Sequence, residues 1–163
     1  MCPTLRRFAI PLFTFVIVSV CFVSASAQTT RRPSAHVAAP DEAGPSFNAY
    51  RGIQLGMTAD EVRKKLGDPK DKGTEQDFFV FNDLETAQIV YDKGQKVVTI
   101  SADFLSGAAD VLTAKQIFGA EVEAKADGSA YKMVRYPKAG YWLSYNRTGG
   151  AMPLITVTIQ KIQ

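Results

Sequence analysis

The sequence predicts an α+β domain made of two tandem helix-plus-three-stranded-meander repeats, with the helices packed on one face of an antiparallel sheet. Three observations lead there. A helix with both ends marked occupies Gly56–Pro69, GMTADEVRKKLGDP. Three strand-like runs follow, divided by turn residues. The order then recurs: Phe118-Gly119 ends a second helix as Leu66-Gly67 ends the first, 52 residues earlier.

The first helix is specified locally. Thr58 is a good N-cap, and Glu61 three residues later completes a capping box. Met57 and Val62 stand at the two positions of a hydrophobic staple. Asp60 and Glu61 lie at the positive end of the helix dipole, and Arg63, Lys64 and Lys65 toward the negative end. Gly67 suits a left-handed stop, and Pro69 prevents resumption. Val62 and Leu66 share one face, which therefore docks on something apolar.

The strands follow in order. Asp77–Asn82 is rich in aromatics, and Phe78 and Phe81 are expected in the core. Thr86–Tyr91 alternates, with Ala87, Ile89 and Tyr91 on one face. Asp92–Gln95 reads as a hairpin turn with Gly94 at positive φ. Lys96–Ala102 is β-branched and apolar. The first repeat is thus about 53–102. In the second, about 106–163, a helix runs from about Asp110 to Phe118. Asp110 is one candidate cap, and Thr113 with Gln116 forms a competing capping box. Ala130–Tyr136, Gly140–Asn146 and Leu154–Lys161 are strand-like.

Residues 1–27 read as an export signal. Arg6 and Arg7 precede Phe8–Val23, which is uncharged and mostly apolar, and Ala25-Ser26-Ala27 supplies small residues for cleavage between Ala27 and Gln28. That apolar run has 16 residues, short of the roughly 20 a comfortable span needs. Lipidation at Cys21 is the minority reading, because Val20 is bulky for that cleavage box. Both cysteines, Cys2 and Cys21, fall within the signal, so the mature chain has neither disulfide nor thiol. Residues 28–46 carry three prolines and the single histidine, His36, and read as a flexible linker. A single domain occupies 47–163. Losing Arg6 and Arg7 lowers the formal net charge from +3 to +1, which gives no electrostatic case for nucleic acid. Membrane contact is expected only through the signal segment, if uncleaved or lipidated.

The string Gly-Met-Thr-x-x-Glu-Val-x-x-x-Leu-Gly-x-Pro at Gly56–Pro69, with the Tyr-Asp-x-Gly hairpin at Tyr91–Gly94, resembles the BamE-like (SmpA/OmlA) envelope domains and the related β-lactamase-inhibitor-protein fold. The resemblance covers 53–102 by motif and the second half by pattern. It implies helices packed on antiparallel strands, and a bacterial envelope or periplasmic setting. It carries over no functional residue. The chain departs from BamE-like lipoproteins in its poor lipidation box, and from the inhibitor proteins in lacking cysteines.

The chemical inventory argues against an enzyme. The domain has no histidine or cysteine, no HExxH or GxSxG motif and no Gly-rich phosphate loop. Its acidic pair Asp60-Glu61 is absorbed by helix capping. No cofactor and no metal is expected. Binding of another protein is the better reading, because Tyr and Trp supply rigid contact area. Candidate partner-binding residues are Tyr91, Asp92, Tyr141, Trp142 and Tyr145. The expected function is an exported, non-enzymatic protein-binding module. One alternative is an inhibitor of a secreted or periplasmic hydrolase, such as a β-lactamase, that inserts the Tyr91–Gln95 hairpin. Another is an outer-membrane assembly or structural envelope protein. A weaker one is a small apolar ligand held on the aromatic sheet face.

Overall fold

A computed structural model describes residues 45–162 of the chain. The expected signal segment 1–27 with its expected Ala27–Gln28 cleavage, Cys21, His36 and the expected linker up to residue 44 lie outside the described residues. The elements are α1 (Ala59–Leu66), β1 (Asp71–Lys72), β2 (Gln76–Asn82), β3 (Glu85–Tyr91), β4 (Val97–Phe104), α2 (Ala114–Phe118), β5 (Ala130–Tyr136), β6 (Tyr141–Arg147) and β7 (Ile155–Lys161). A 3-10 turn, Pro137–Ala139, joins β5 to β6.

This architecture corrects the expected fold class. The strands form one seven-stranded antiparallel sheet, in the order β1-β2-β3-β4-β7-β6-β5. The protein is dominated by that sheet, and the two helices are short, 8 and 5 residues. Two tandem helix-plus-meander repeats do not describe it. The physical reason lies in the second helix and in the seam. Of the two competing caps, Thr113 wins over Asp110, so α2 has barely more than one turn and cannot form a packing layer. The last strand, β7, then pairs with β4 along Thr99–Phe104, which fuses all seven strands through one continuous ladder.

Local rules account for the elements. Thr58 Oγ1 accepts from the Glu61 N–H at 3.2 Å, and the Glu61 carboxylate accepts from the Thr58 N–H at 2.7 Å. Thr113 and Gln116 repeat the arrangement at α2, at 3.2 and 2.8 Å. In the β3–β4 hairpin the residue with positive φ is Gln95, at 57°, and not Gly94. The Asp92 carboxylate accepts from the N–H groups of Gly94 and Lys96, which builds a tight turn and leaves the left-handed position one residue later. The register shift between Val90 and Tyr91 absorbs the extra residue.

One face of the sheet holds the core. Phe79, Ala87, Ile89, Tyr91, Val97, Ile100, Ala102, Phe104, Leu143, Val157 and Ile159 are buried there, under Val62 of α1 and Ile117 of α2. At the β4–β7 seam Ile100 faces Ile159 and Ala102 faces Val157, all on the packed side. Each large apolar side chain fully buried there contributes roughly 1.5–3 kcal/mol. Phe81 packs against this core as expected. Phe78 does not: it lies half-buried on the opposite face, because alternation along β2 sets it out of phase with Phe79.

Candidate functional site

The face opposite the core is the candidate site. Strand alternation puts three rows of side chains across it. The first runs Gln76, Val90, Thr99, Gln160, Trp142, Arg135. The second runs Phe78, Gln88, Ser101, Thr158, Ser144, Met133. The third runs Val80, Thr86, Asp103, Thr156, Asn146, Tyr131.

The middle of the face is polar and largely paired with itself. Ser101 and Thr158 share a hydroxyl–hydroxyl bond at 3.3 Å. Thr156 donates to Asp103 at 2.6 Å, and Gln88 donates to Gln76 at 2.7 Å. The apolar residues stand at the flanks. Phe78, Val80 and Val90 lie on the β2–β3 side. Tyr131, Met133 and Trp142 lie on the β5–β6 side, where Tyr131 is 61% and Met133 48% exposed. A shallow cavity of about 180 Å³ opens on that flank, lined by Met133, Arg135, Trp142, Gln160, Lys161 and Ile162. It is smaller than the roughly 300–1,000 Å³ typical of a small-molecule site.

The structure separates the residues singled out from sequence. Tyr91, Tyr141 and Tyr145 point into the packed side and are buried. Trp142 alone of the aromatic candidates lies on the open face, half-buried. Asp92 is half-buried and its carboxylate is committed to the hairpin turn. The turn itself is tied back to the helix: Ala59 donates to the Gln95 carbonyl at 3.0 Å, and Thr58 bridges to Lys96. These five residues therefore do not form one surface.

Sequence reasoning missed two buried carboxylates. Glu85, at the start of β3, takes the Arg51 guanidinium at 2.9 and 2.6 Å and the Tyr50 hydroxyl at 2.6 Å. Asp77, in β2, takes Arg63 of α1 at 2.8 and 3.0 Å, the Tyr91 hydroxyl at 2.8 Å and the Gly73 N–H at 3.2 Å. The Arg51 guanidinium also sits 4.3 Å from the Phe81 ring centre. Arg51 adopts a left-handed φ of 47° to reach Glu85, with Gly52 beside it at 75°. Gly73 closes around Asp77 so tightly that a Cβ there would lie 2.6 Å from the Gln76 carbonyl. A signal for both carboxylates was present: Asp77 shares the strand phase of Phe79, and Glu85 that of Ala87, Ile89 and Tyr91.

The electrostatics fit clamps better than reactive groups. Hydrogen bonds from Arg51 hold Glu85 below the usual carboxylate range, against the effect of burial and with help from Tyr50. Burial alone would raise Asp77, but the bonds from Arg63, Tyr91 and Gly73 outweigh it and lower it. Burial and the neighbouring carboxylate push the Tyr50 and Tyr91 hydroxyls well above the ordinary tyrosine value, so both remain donors. Among the described residues no buried side-chain polar atom lacks a partner. Two Arg–carboxylate–Tyr clusters thus pin the N-terminal segment and α1 onto the strands.

No family model, no curated protein and no solved structure matches this chain.

Proposed function

We propose that this chain is an exported, non-enzymatic protein-binding module of the bacterial envelope or periplasm, and that its partner docks on the open sheet face around Trp142. The observation that supports this most is the apolar flank of exposed Tyr131 and Met133 with half-buried Trp142, beside the paired hydroxyls of Ser101 and Thr158. Tyr, Trp, Met and Arg are the residues enriched at protein interfaces, and all four types meet here. A contiguous exposed apolar patch on a sheet is itself a mark of an interaction surface. Export is supported by the signal-like character of 1–27. The envelope setting rests on the resemblance of Gly56–Pro69 to BamE-like domains. A hydrolase-inhibiting role for the Tyr91–Gln95 hairpin has less support, since Tyr91 is internal and Asp92 holds the turn.

The test is affinity capture from an envelope extract, followed by titration of the captured protein against wild type, Trp142→Ala and Val80→Ala. Trp142→Ala is expected to weaken binding about thirtyfold, the effect of losing one interface anchor of about 2 kcal/mol. Val80→Ala, on the far flank, is expected to bind as wild type. Undiminished binding by a Trp142→Ala variant with unchanged circular dichroism would place the partner elsewhere.

A further inference from the structure

The two ends of the sheet differ sharply. At one end β1 is a two-residue strand, too short to template another chain. At the other, β5 runs seven residues, Ala130–Tyr136, and pairs only with β6 among the described residues. An open edge of that length presents a row of unpaired backbone donors and acceptors. No proline or bulge interrupts it, and Pro137 stands just beyond its end.

The side chains of β5 suit one occupant: the same strand of a second copy. Folded antiparallel about Met133, AYKMVRY sets Met133 against itself, Lys132 against Val134, Tyr131 against Arg135 and Ala130 against Tyr136. No charge meets a like charge, and each Arg135 guanidinium falls beside a Tyr131 ring. The other β5 cation is already occupied, since the Lys132 ammonium lies 4.9 Å from the Phe118 ring centre of its own α2. The most exposed apolar residues of the strand, Tyr131 and Met133, are those this pairing covers. Directly opposite residues share a sheet face, so the open faces of both copies would merge across the axis.

We infer that the chain self-associates through a two-fold antiparallel β5–β5 contact centred on Met133, which joins two seven-stranded sheets into one. This contact uses Tyr131 and Met133 of the flank described above and leaves Trp142, on β6, outside the β5–β5 pairing. Residues 105–162 carry seven Lys and Arg against four Asp and Glu, so two such halves repel. Salt therefore strengthens the contact by screening, whereas an acidic peptide on the same edge would be released by salt.

The test uses the full chain with Cys2→Ser and Cys21→Ser, so that one introduced thiol is the only one. Met133→Cys is expected to form a disulfide-linked dimer under mild oxidant, because residues opposite each other in an antiparallel pair have Cα atoms about 4.5–5.5 Å apart. Tyr131→Cys is expected not to, since its two copies lie four residues, about 13 Å, apart. As a second reading, Met133→Lys and Met133→Glu are each expected to sediment as monomers and, when mixed, as a dimer. Equal cross-linking at 131 and 133, no cross-linking at either, or failure of the mixed pair to associate overturns the contact. Cross-linking and sedimentation read the β5–β5 contact in the absence of any partner, whereas the Trp142→Ala titration reads partner binding, so the two proposals fail separately.

Discussion

Strands β1–β4 with α1 and strands β5–β7 with α2 are held by different physics. In the first half two carboxylates are buried, and each is gripped by an arginine and a tyrosine. In the second half no charged side chain is buried among the described residues, and α2 rests on apolar contact through Ala114 and Ile117. All three ion pairs found among the described residues lie in the first half. The difference teaches what a buried ion pair does here. Apolar contact is non-directional and lets a short helix slide. A bidentate arginine on a buried carboxylate has one geometry, so it fixes where α1 and the Tyr50–Ile53 turn dock. The cost is fragility, because removing one partner strands the other.

That contrast can be broken at Asp77. Asp77→Ala would leave the Arg63 guanidinium, only 18% exposed, and the buried Tyr91 hydroxyl without their acceptor. The expected loss is about 3–5 kcal/mol by urea unfolding, the usual cost of breaking a buried pair. The matching deletion, Glu85→Ala, strands Arg51, whose side chain is 38% exposed, and is expected to cost less, since water can reach the stranded guanidinium. Equal losses at both positions would show that burial does not govern the clamps.

Acid sharpens the same comparison. Asp77 and Glu85 titrate lower in the folded than in the unfolded chain. Their contribution is therefore complete above the unfolded carboxylate range, near pH 4–4.5, and is lost as pH falls through the lowered folded values. Urea midpoints measured from pH 6 downward are expected to drop steeply below about pH 4. In an Asp77→Asn/Glu85→Gln variant that slope should flatten, although the variant is less stable at pH 6. An unchanged acid slope would remove both carboxylates from the account.

Smaller effects separate the helices. Thr58→Ala and Thr113→Ala each delete a capping box and should each cost about 1 kcal/mol locally. Backbone amides of α2 are expected to exchange by local opening well before those of β3 and β4, which hydrogen exchange followed by NMR would resolve. Thr113→Ala should speed exchange in α2 alone. Thr58→Ala should be less visible, because Arg63 still pins α1 to Asp77. Protection in α2 equal to that in β4 would abolish the contrast between halves.

Much of the local structure was legible in the sequence. The capping box at Thr58 and Glu61, the competing box at Thr113 and Gln116, and the bounds of β5 depend on residues within a few positions of one another. The alternation Tyr141, Leu143, Tyr145 against Trp142 and Ser144 was equally readable. Which of those two ridges faces water was not, because that depends on what covers the sheet. The buried carboxylates escaped for a similar reason. Asp77 and Glu85 sit on the apolar phase of their strands, but their partners, Arg63 and Arg51, come from segments 14 and 34 residues away.

The sequence by itself determined where α1 starts, roughly where β2–β7 run and which side chains share a strand face, since capping and alternation are short-range. It left the start of α2 open between Asp110 and Thr113 and held no sign of the two-residue β1. Only the tertiary structure decided that β7 enters the middle of the sheet, that β5 is left at its edge, and that the helices are too short to make repeats of the two halves. Strand order is a competition among long-range pairings, each with its own loop-closure entropy and buried area. Here the β4–β7 seam, with Ile100 on Ile159 and Ala102 on Val157, settles it.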